Sequence, residues 1–152
     1  MKRRELLLGV LTIAGAIAIS ADSFAAQPKI YSNSATGVAI NGYDPVAYFT
    51  QHMPVEGKAE FSALWNGAKW QFSNDANRQI FLAMPDKYAP QYGGYCAFAV
   101  SYGSTATTVP EAWSIVDNKL YLNNSLGVRS RWKTDIPGYI AKADKNWPNV
   151  LK

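Results

Sequence analysis

The chain has 152 residues, 15 of them basic and 11 acidic, and a formal net charge of +4 at pH 7. The basic residues are scattered, apart from Arg129, Arg131 and Lys133, so the sequence lacks the charge pattern of a nucleic-acid-binding protein. The length suits one domain with a real core, and a single cysteine excludes an internal disulfide.

The first 25 residues have the order of a secretory signal peptide: basic residues, then a 14-residue apolar run at 6–19, then small residues ending at Ala25. The run is shorter than the roughly 20 residues of a membrane-spanning helix. We therefore expect cleavage after Ala25 and no stable membrane anchor. The pair Arg3 and Arg4 resembles a twin-arginine signal, and the general export route fits as well. The mature chain is expected in the periplasm or secreted.

Residues 26–36 are polar and irregular, and we interpret them as a flexible tether to a domain at 37–150. Residues 38–40 are a strand candidate. Asp44 is expected to cap a short helix over 44–50, with Pro45 in its first turn. A loop over 51–58 follows and contains His52, the only histidine.

Two hairpins are predicted farther along the chain. The first pairs 61–65 with 69–72 around Asn66 and Gly67, and the second pairs 113–116 with 119–122. A helix is expected from Ser73 or Asn74 to about Met84, another start at 96–100, and two helical segments at 125–133 and 135–147. Strands and helices mix without βαβ alternation, which predicts an α+β fold: a small antiparallel sheet of hairpins packed with several short helices.

The stretch around Cys96 is the strongest candidate for chemistry. The lone thiol follows two glycines, which allow a tight turn or close approach to a ligand, and two tyrosines flank that pair. Thiolate, imidazole and thioether ligands together suit copper(I), so His52 with Met53 or Met84 could complete a site at Cys96, although no spacing forces these residues together. The competing interpretation is a buried, inert thiol.

Two other kinds of site fit poorly. A structural zinc site needs four Cys or His ligands, and the chain has two such residues. A cysteine nucleophile needs a base nearby, and His52 lies far upstream of Cys96 without a catalytic signature around either residue.

Residues 36–150 contain several distinctive motifs: GYDPVAYF at 42–49, WNGAKWQF at 65–72, NR at 77–78, PDKYAPQYGGYCA at 85–97, WSI at 113–115 and LYLN at 120–123. Over this range and in these motifs, the sequence resembles the YHS domain family in its long, secreted bacterial form. The resemblance implies a binding module, because shorter members are commonly taken to bind copper and other soft metals. Their cysteines correspond to Ala47, Ser73 and Asn77 of this chain, so a metal site here would have to be built around Cys96.

We therefore expect an exported YHS-type binding module, with copper held by Cys96, His52 and Met53 and with a metal ion or a metal-handling protein as its partner. Further binding residues are expected in the two motifs that best match the family: Tyr43, Asp44, Tyr92, Gly93, Gly94 and Tyr95. The alternative is a structural or interaction protein with an inert Cys96 and an aromatic pocket for a partner or a small molecule. An enzyme is the third possibility.

Overall fold

The computed structural model describes residues 25–152, so the predicted signal peptide lies outside the described residues except for Ala25. Four strands and six α-helices occur in this part of the chain. They are α1 (Ala47–Thr50), β1 (Lys58–Trp65), β2 (Ala68–Phe72), α2 (Asp75–Ala83), α3 (Pro85–Tyr88), α4 (Ala97–Ser101), β3 (Trp113–Val116), β4 (Lys119–Leu122), α5 (Leu126–Trp132) and α6 (Ile136–Asn146). The predicted α+β class is confirmed. Within residues 25–152, no helix is long and apolar enough to cross a membrane.

Both predicted hairpins are present as separate two-stranded antiparallel sheets, β1 with β2 and β3 with β4. The first turns at Asn66 and Gly67, whose φ values are 48° and 78°. The second turns at Asp117 and Asn118, with φ values of 50° and 59°. Asn, Asp and Gly tolerate this left-handed region, which matches the twist of the paired strands.

The helix starts follow the capping residues in the sequence. The side chain of Asn74 accepts a hydrogen bond from the Asn77 N–H at 2.8 Å, and the Ser125 side chain accepts one from the Val128 N–H at 3.1 Å. Each bond satisfies a backbone donor that the helix itself leaves without a partner. Pro85 follows the end of α2, as expected, and also opens α3.

The predicted strand over 38–40 is wrong. Val38 and Ala39 form only isolated bridges, to Lys69 and Ser32. Ile40 has a φ of 41° and begins a 3₁₀ turn over Ile40–Gly42. A left-handed residue breaks the extended backbone, so pairing cannot continue through Ile40.

The predicted tether is shorter than expected, because the Gln27 N–H already donates to the Leu151 carbonyl at 2.7 Å and the chain enters the core at Ile30. This side chain is 5% exposed and belongs to the core. The N–H of the next residue, Tyr31, donates to the Gly93 carbonyl at 2.8 Å. An apolar residue within the polar segment explains the docking, since burial removes its surface from water.

The second hairpin lies between two hydrophobic clusters. Its Trp113, Ile115, Leu120 and Leu122 side chains pack in the first cluster, around Trp70, Phe72 and Phe81 of the first hairpin and α2. Val116 and Tyr121 point to the opposite face and pack in the second cluster, which includes Trp132 of α5 and Ala143 of α6. Side chains alternate between the faces of a strand, so one short hairpin contributes to both cores.

Candidate functional site

Cys96 is a buried residue, with 1% of its surface exposed. Its thiol donates to Oδ1 of Asn123, with the two atoms 3.5 Å apart, and the same oxygen accepts the Phe98 N–H at 3.1 Å. Asn123 is itself fully buried, so this amide links the start of α4 to the end of β4. The structure therefore gives the thiol a polar partner from its own chain and no open surface.

His52 and Met53, the other predicted copper ligands, lie on the loop after α1 and are exposed, Met53 by 52%. No hydrogen bond joins either side chain to Cys96 within residues 25–152. This part of the chain also holds no group of three or more His, Cys, Asp or Glu side chains arranged to bind a metal ion. Copper binding at Cys96 stays a prediction.

The glycine turn before Cys96 brings two parts of the same chain together. Tyr92, Gly93 and Gly94 have φ values of 57°, 61° and 85°. A Cβ atom on Gly93 would lie 1.9 Å from the Lys29 carbonyl oxygen, and one on Gly94 would lie 2.5 Å from a methyl carbon of Ile40. The close approach predicted for these glycines is thus made to the protein's own N-terminal segment.

The two tyrosines of this turn are also bound to neighbouring segments. The Tyr92 hydroxyl donates to a carboxylate oxygen of Asp144 on α6 at 2.8 Å, and the Tyr95 hydroxyl donates to the Pro28 carbonyl at 2.8 Å. Burial, followed by the bond to Asp144, raises the pKa of Tyr92 well above the ordinary tyrosine value. Burial also raises the pKa of Tyr95. Both phenols are thus held in the protonated, donating form.

Asp44 is a fully buried carboxylate, and five hydrogen bonds satisfy it. Oδ1 accepts the N–H groups of Val46 and Ala47 at 2.9 and 3.3 Å, which caps α1. Oδ2 accepts the Ser73 N–H at 2.8 Å, the Ser73 hydroxyl at 2.7 Å and the Asn77 amide at 2.8 Å. A buried charge is tolerated where it is hydrogen-bonded in this way, so Asp44 ties α1 to the junction of β2 and α2.

Tyr43, the neighbouring predicted binding residue, is half-buried, and its backbone bridges Glu56. No hydrogen bond or aromatic contact within residues 25–152 joins Tyr43 or Asp44 to Tyr92 or Tyr95. The two predicted groups of binding residues therefore share no contact of these kinds, although Ile40, in the turn before Tyr43, lies against Gly94.

A groove with a volume of about 470 Å³ is found elsewhere, along strand β3. We call it the Trp113 groove. It is lined by β3 and the following turn, by the end of α1 and its loop, and by residues from α5 to the start of α6: Phe49, His52, Trp113, Ser114, Ile115, Val116, Asn118, Arg129, Lys133 and Ile136. Its volume lies within the range of about 300–1,000 Å³ that is usual for small-molecule sites.

The aromatic part of the groove is fixed by core packing. The Trp113 ring lies against Tyr48, with the ring centroids 5.5 Å apart and the planes tilted by 49°. The Tyr48 hydroxyl donates to the Pro110 carbonyl at 3.0 Å, just before the strand. Burial raises the pKa of Tyr48 well above the ordinary value, so the phenol keeps its proton. Trp113 is thus half-buried on a rigid support.

The polar part of the groove is centred on Arg129. Its Nε–H donates to the hydroxyl of Ser114 at 3.1 Å, and Ser114 is buried. Neither Nη group has a hydrogen-bond or ion-pair partner within residues 25–152, where the single salt bridge joins Arg78 to Asp75. The guanidinium is held at one nitrogen and free to bind at the other two.

Sequence reasoning did not select Trp113 or Arg129 as site residues. The signal for Arg129 and Lys133 was weak: two basic residues four positions apart share one face of a helix. Of the predicted metal ligands, His52 lines the groove, whereas Cys96 does not.

Comparisons with protein-family models, with curated proteins and with solved structures found no match for this chain. The resemblance to the YHS family stays a prediction.

Proposed function

We propose that this protein is a binding protein whose small-molecule ligand occupies the Trp113 groove. The observation that carries the proposal is a single groove lined both by a rigidly supported, half-buried indole and by a guanidinium with two nitrogens that have no partner within residues 25–152. Ligand sites typically combine apolar walls with a few well-placed polar groups. The predicted signal peptide would deliver this activity to the periplasm or the cell exterior.

The groove supports binding better than the surroundings of Cys96 do. The thiol is 1% exposed and already donates to Asn123, so a metal ion would have to displace that amide and open the fold around it. The groove needs no such rearrangement, because its lining residues already border open space. We therefore favour the alternative drawn from the sequence, in which Cys96 is inert and an aromatic pocket elsewhere in the protein holds a small molecule.

Nuclear magnetic resonance of the tryptophan indole N–H signals tests the proposal. Each of the five tryptophans gives one signal, and single Trp→Phe variants assign them. A library of small aromatic and aliphatic acids, amides and amines would be added to the purified protein. We expect binders that shift the Trp113 signal in a saturable way.

Trp147 is the internal control, because it lines a different groove of about 300 Å³. Its signal should move less than that of Trp113 with the same compounds. Binders that shift Trp147 and leave Trp113 unchanged would contradict the proposal, as would a library without a single saturable shift at Trp113.

A further inference from the structure

We infer that the Trp113 groove selects a carboxylate that carries a flat apolar body, an assignment that rests on the proposed function. The first argument is charge. Arg129, Lys133 and His52 line the groove, and its lining contains no aspartate or glutamate. Two side chains that are cationic at neutral pH therefore face the space without an acidic side chain among its walls. A negatively charged ligand complements these positive charges.

The second argument is the way in which Arg129 is held. Its bond to Ser114 uses Nε, so both Nη groups stay available for a ligand. A planar carboxylate can accept one N–H from each Nη in a fork-like arrangement. Because the Arg129 side chain is half-buried and oriented by a buried hydroxyl, little conformational entropy is lost when the carboxylate binds.

The third argument is the apolar remainder of the groove. Trp113, Phe49 and Ile136 line it together with the basic groups. Flat apolar bodies stack on aromatic faces and bury area there. A bare inorganic anion would leave these walls in contact with water, so the composition favours an organic acid over free phosphate.

Two matched probes distinguish the contribution of the carboxylate to binding from that of the apolar part of the ligand. We would titrate 4-phenylbutyrate and its uncharged amide, 4-phenylbutyramide, into the purified protein and follow the Trp113 indole signal. The two probes have nearly the same shape and differ in charge. We expect the carboxylate to bind about tenfold more tightly, as charge-assisted hydrogen bonds at a partly exposed site would give.

Arg129→Gln should abolish this preference, because the neutral glutamine amide cannot form charge-assisted bonds to the carboxylate. Arg131→Gln is the matched control, because Arg131 is on the same helix, is exposed and does not line the groove. It should keep the tenfold preference. The position of the Trp113 signal in each free variant reports whether the groove is intact.

The inference is overturned if the carboxylate and the amide bind wild type equally, or if Arg131→Gln loses the preference as fully as Arg129→Gln. It is also overturned if inorganic phosphate displaces 4-phenylbutyrate better than chloride does at equal ionic strength, since the groove would then select phosphate. If neither probe shifts Trp113 while uncharged library compounds do, the proposed function stands and the carboxylate assignment fails. If no compound shifts Trp113, both fail.

Discussion

Replacing Asp44 by asparagine should destabilise the protein, because donors that now bond to this buried carboxylate lose or weaken their hydrogen bonds. The amide oxygen of asparagine can keep the two bonds from Val46 and Ala47. The NH₂ group would take the place of Oδ2, which now accepts from Ser73 and Asn77. The Ser73 hydroxyl can rotate and accept instead, and the Asn77 amide keeps its longer bond to that hydroxyl at 3.4 Å, but the Ser73 N–H is left without an acceptor.

Each buried donor without a partner costs about 1–3 kcal/mol. The Ser73 N–H without an acceptor and the weakened bonding of Asn77 give an expected loss of about 1–4 kcal/mol, and about 2 kcal/mol is the central value because Ser73 is only part-buried. Urea unfolding followed by tryptophan fluorescence measures this change in the free energy of unfolding.

Asp75→Asn is the matched control, because Asp75 is exposed and its contact with Arg78 is a surface ion pair. Such pairs contribute about 0–1 kcal/mol. The reasoning is refuted if Asp44→Asn loses no more unfolding free energy than Asp75→Asn.

Two further predictions concern the turn before α4 and its cysteine. Gly93→Ala should lower the free energy of unfolding by about 3 kcal/mol, because Gly93 has a positive φ and the new Cβ would meet the Lys29 carbonyl. Gly37 also has a positive φ but borders open space, so Gly37→Ala should lower the free energy of unfolding by only about 1 kcal/mol. Equal losses in urea unfolding would show that the close approach of Gly93 to Lys29 is unimportant. Because Cys96 is buried against Asn123, its thiol should react with iodoacetamide only at the rate of unfolding, and anaerobic copper(I) competition should give the same result for wild type and Cys96→Ala. Stoichiometric copper that is lost in Cys96→Ala would instead establish the metal site.

The sequence predicted those parts of the fold that depend on local chemistry. Asn66 with Gly67 marked the first hairpin, Ser73 or Asn74 marked the start of α2, and Ser125 marked the start of α5, because the preference of each residue type for a turn or a cap acts over a few neighbouring residues. Ile40 was mispredicted since its left-handed backbone is set by tertiary packing beside Gly94.

The candidate groove could not be predicted from the sequence. Phe49, Trp113 and Arg129 come from separate elements, and their meeting depends on how α1, the second hairpin and α5 pack together. The contact partner of the glycine turn could not be predicted from the sequence either. Its composition predicted a close approach, but only the packed structure shows that Gly93 approaches Lys29.

The position of β3 and β4 between two clusters has a thermodynamic consequence. Neither cluster is closed without this hairpin, so separation of the hairpin from either cluster exposes apolar side chains of that cluster and of the hairpin itself. The two halves should therefore open as one cooperative unit and not as independent subdomains. A ligand that binds along β3 should therefore raise the free energy of unfolding of the whole domain, including the parts that do not contact the ligand.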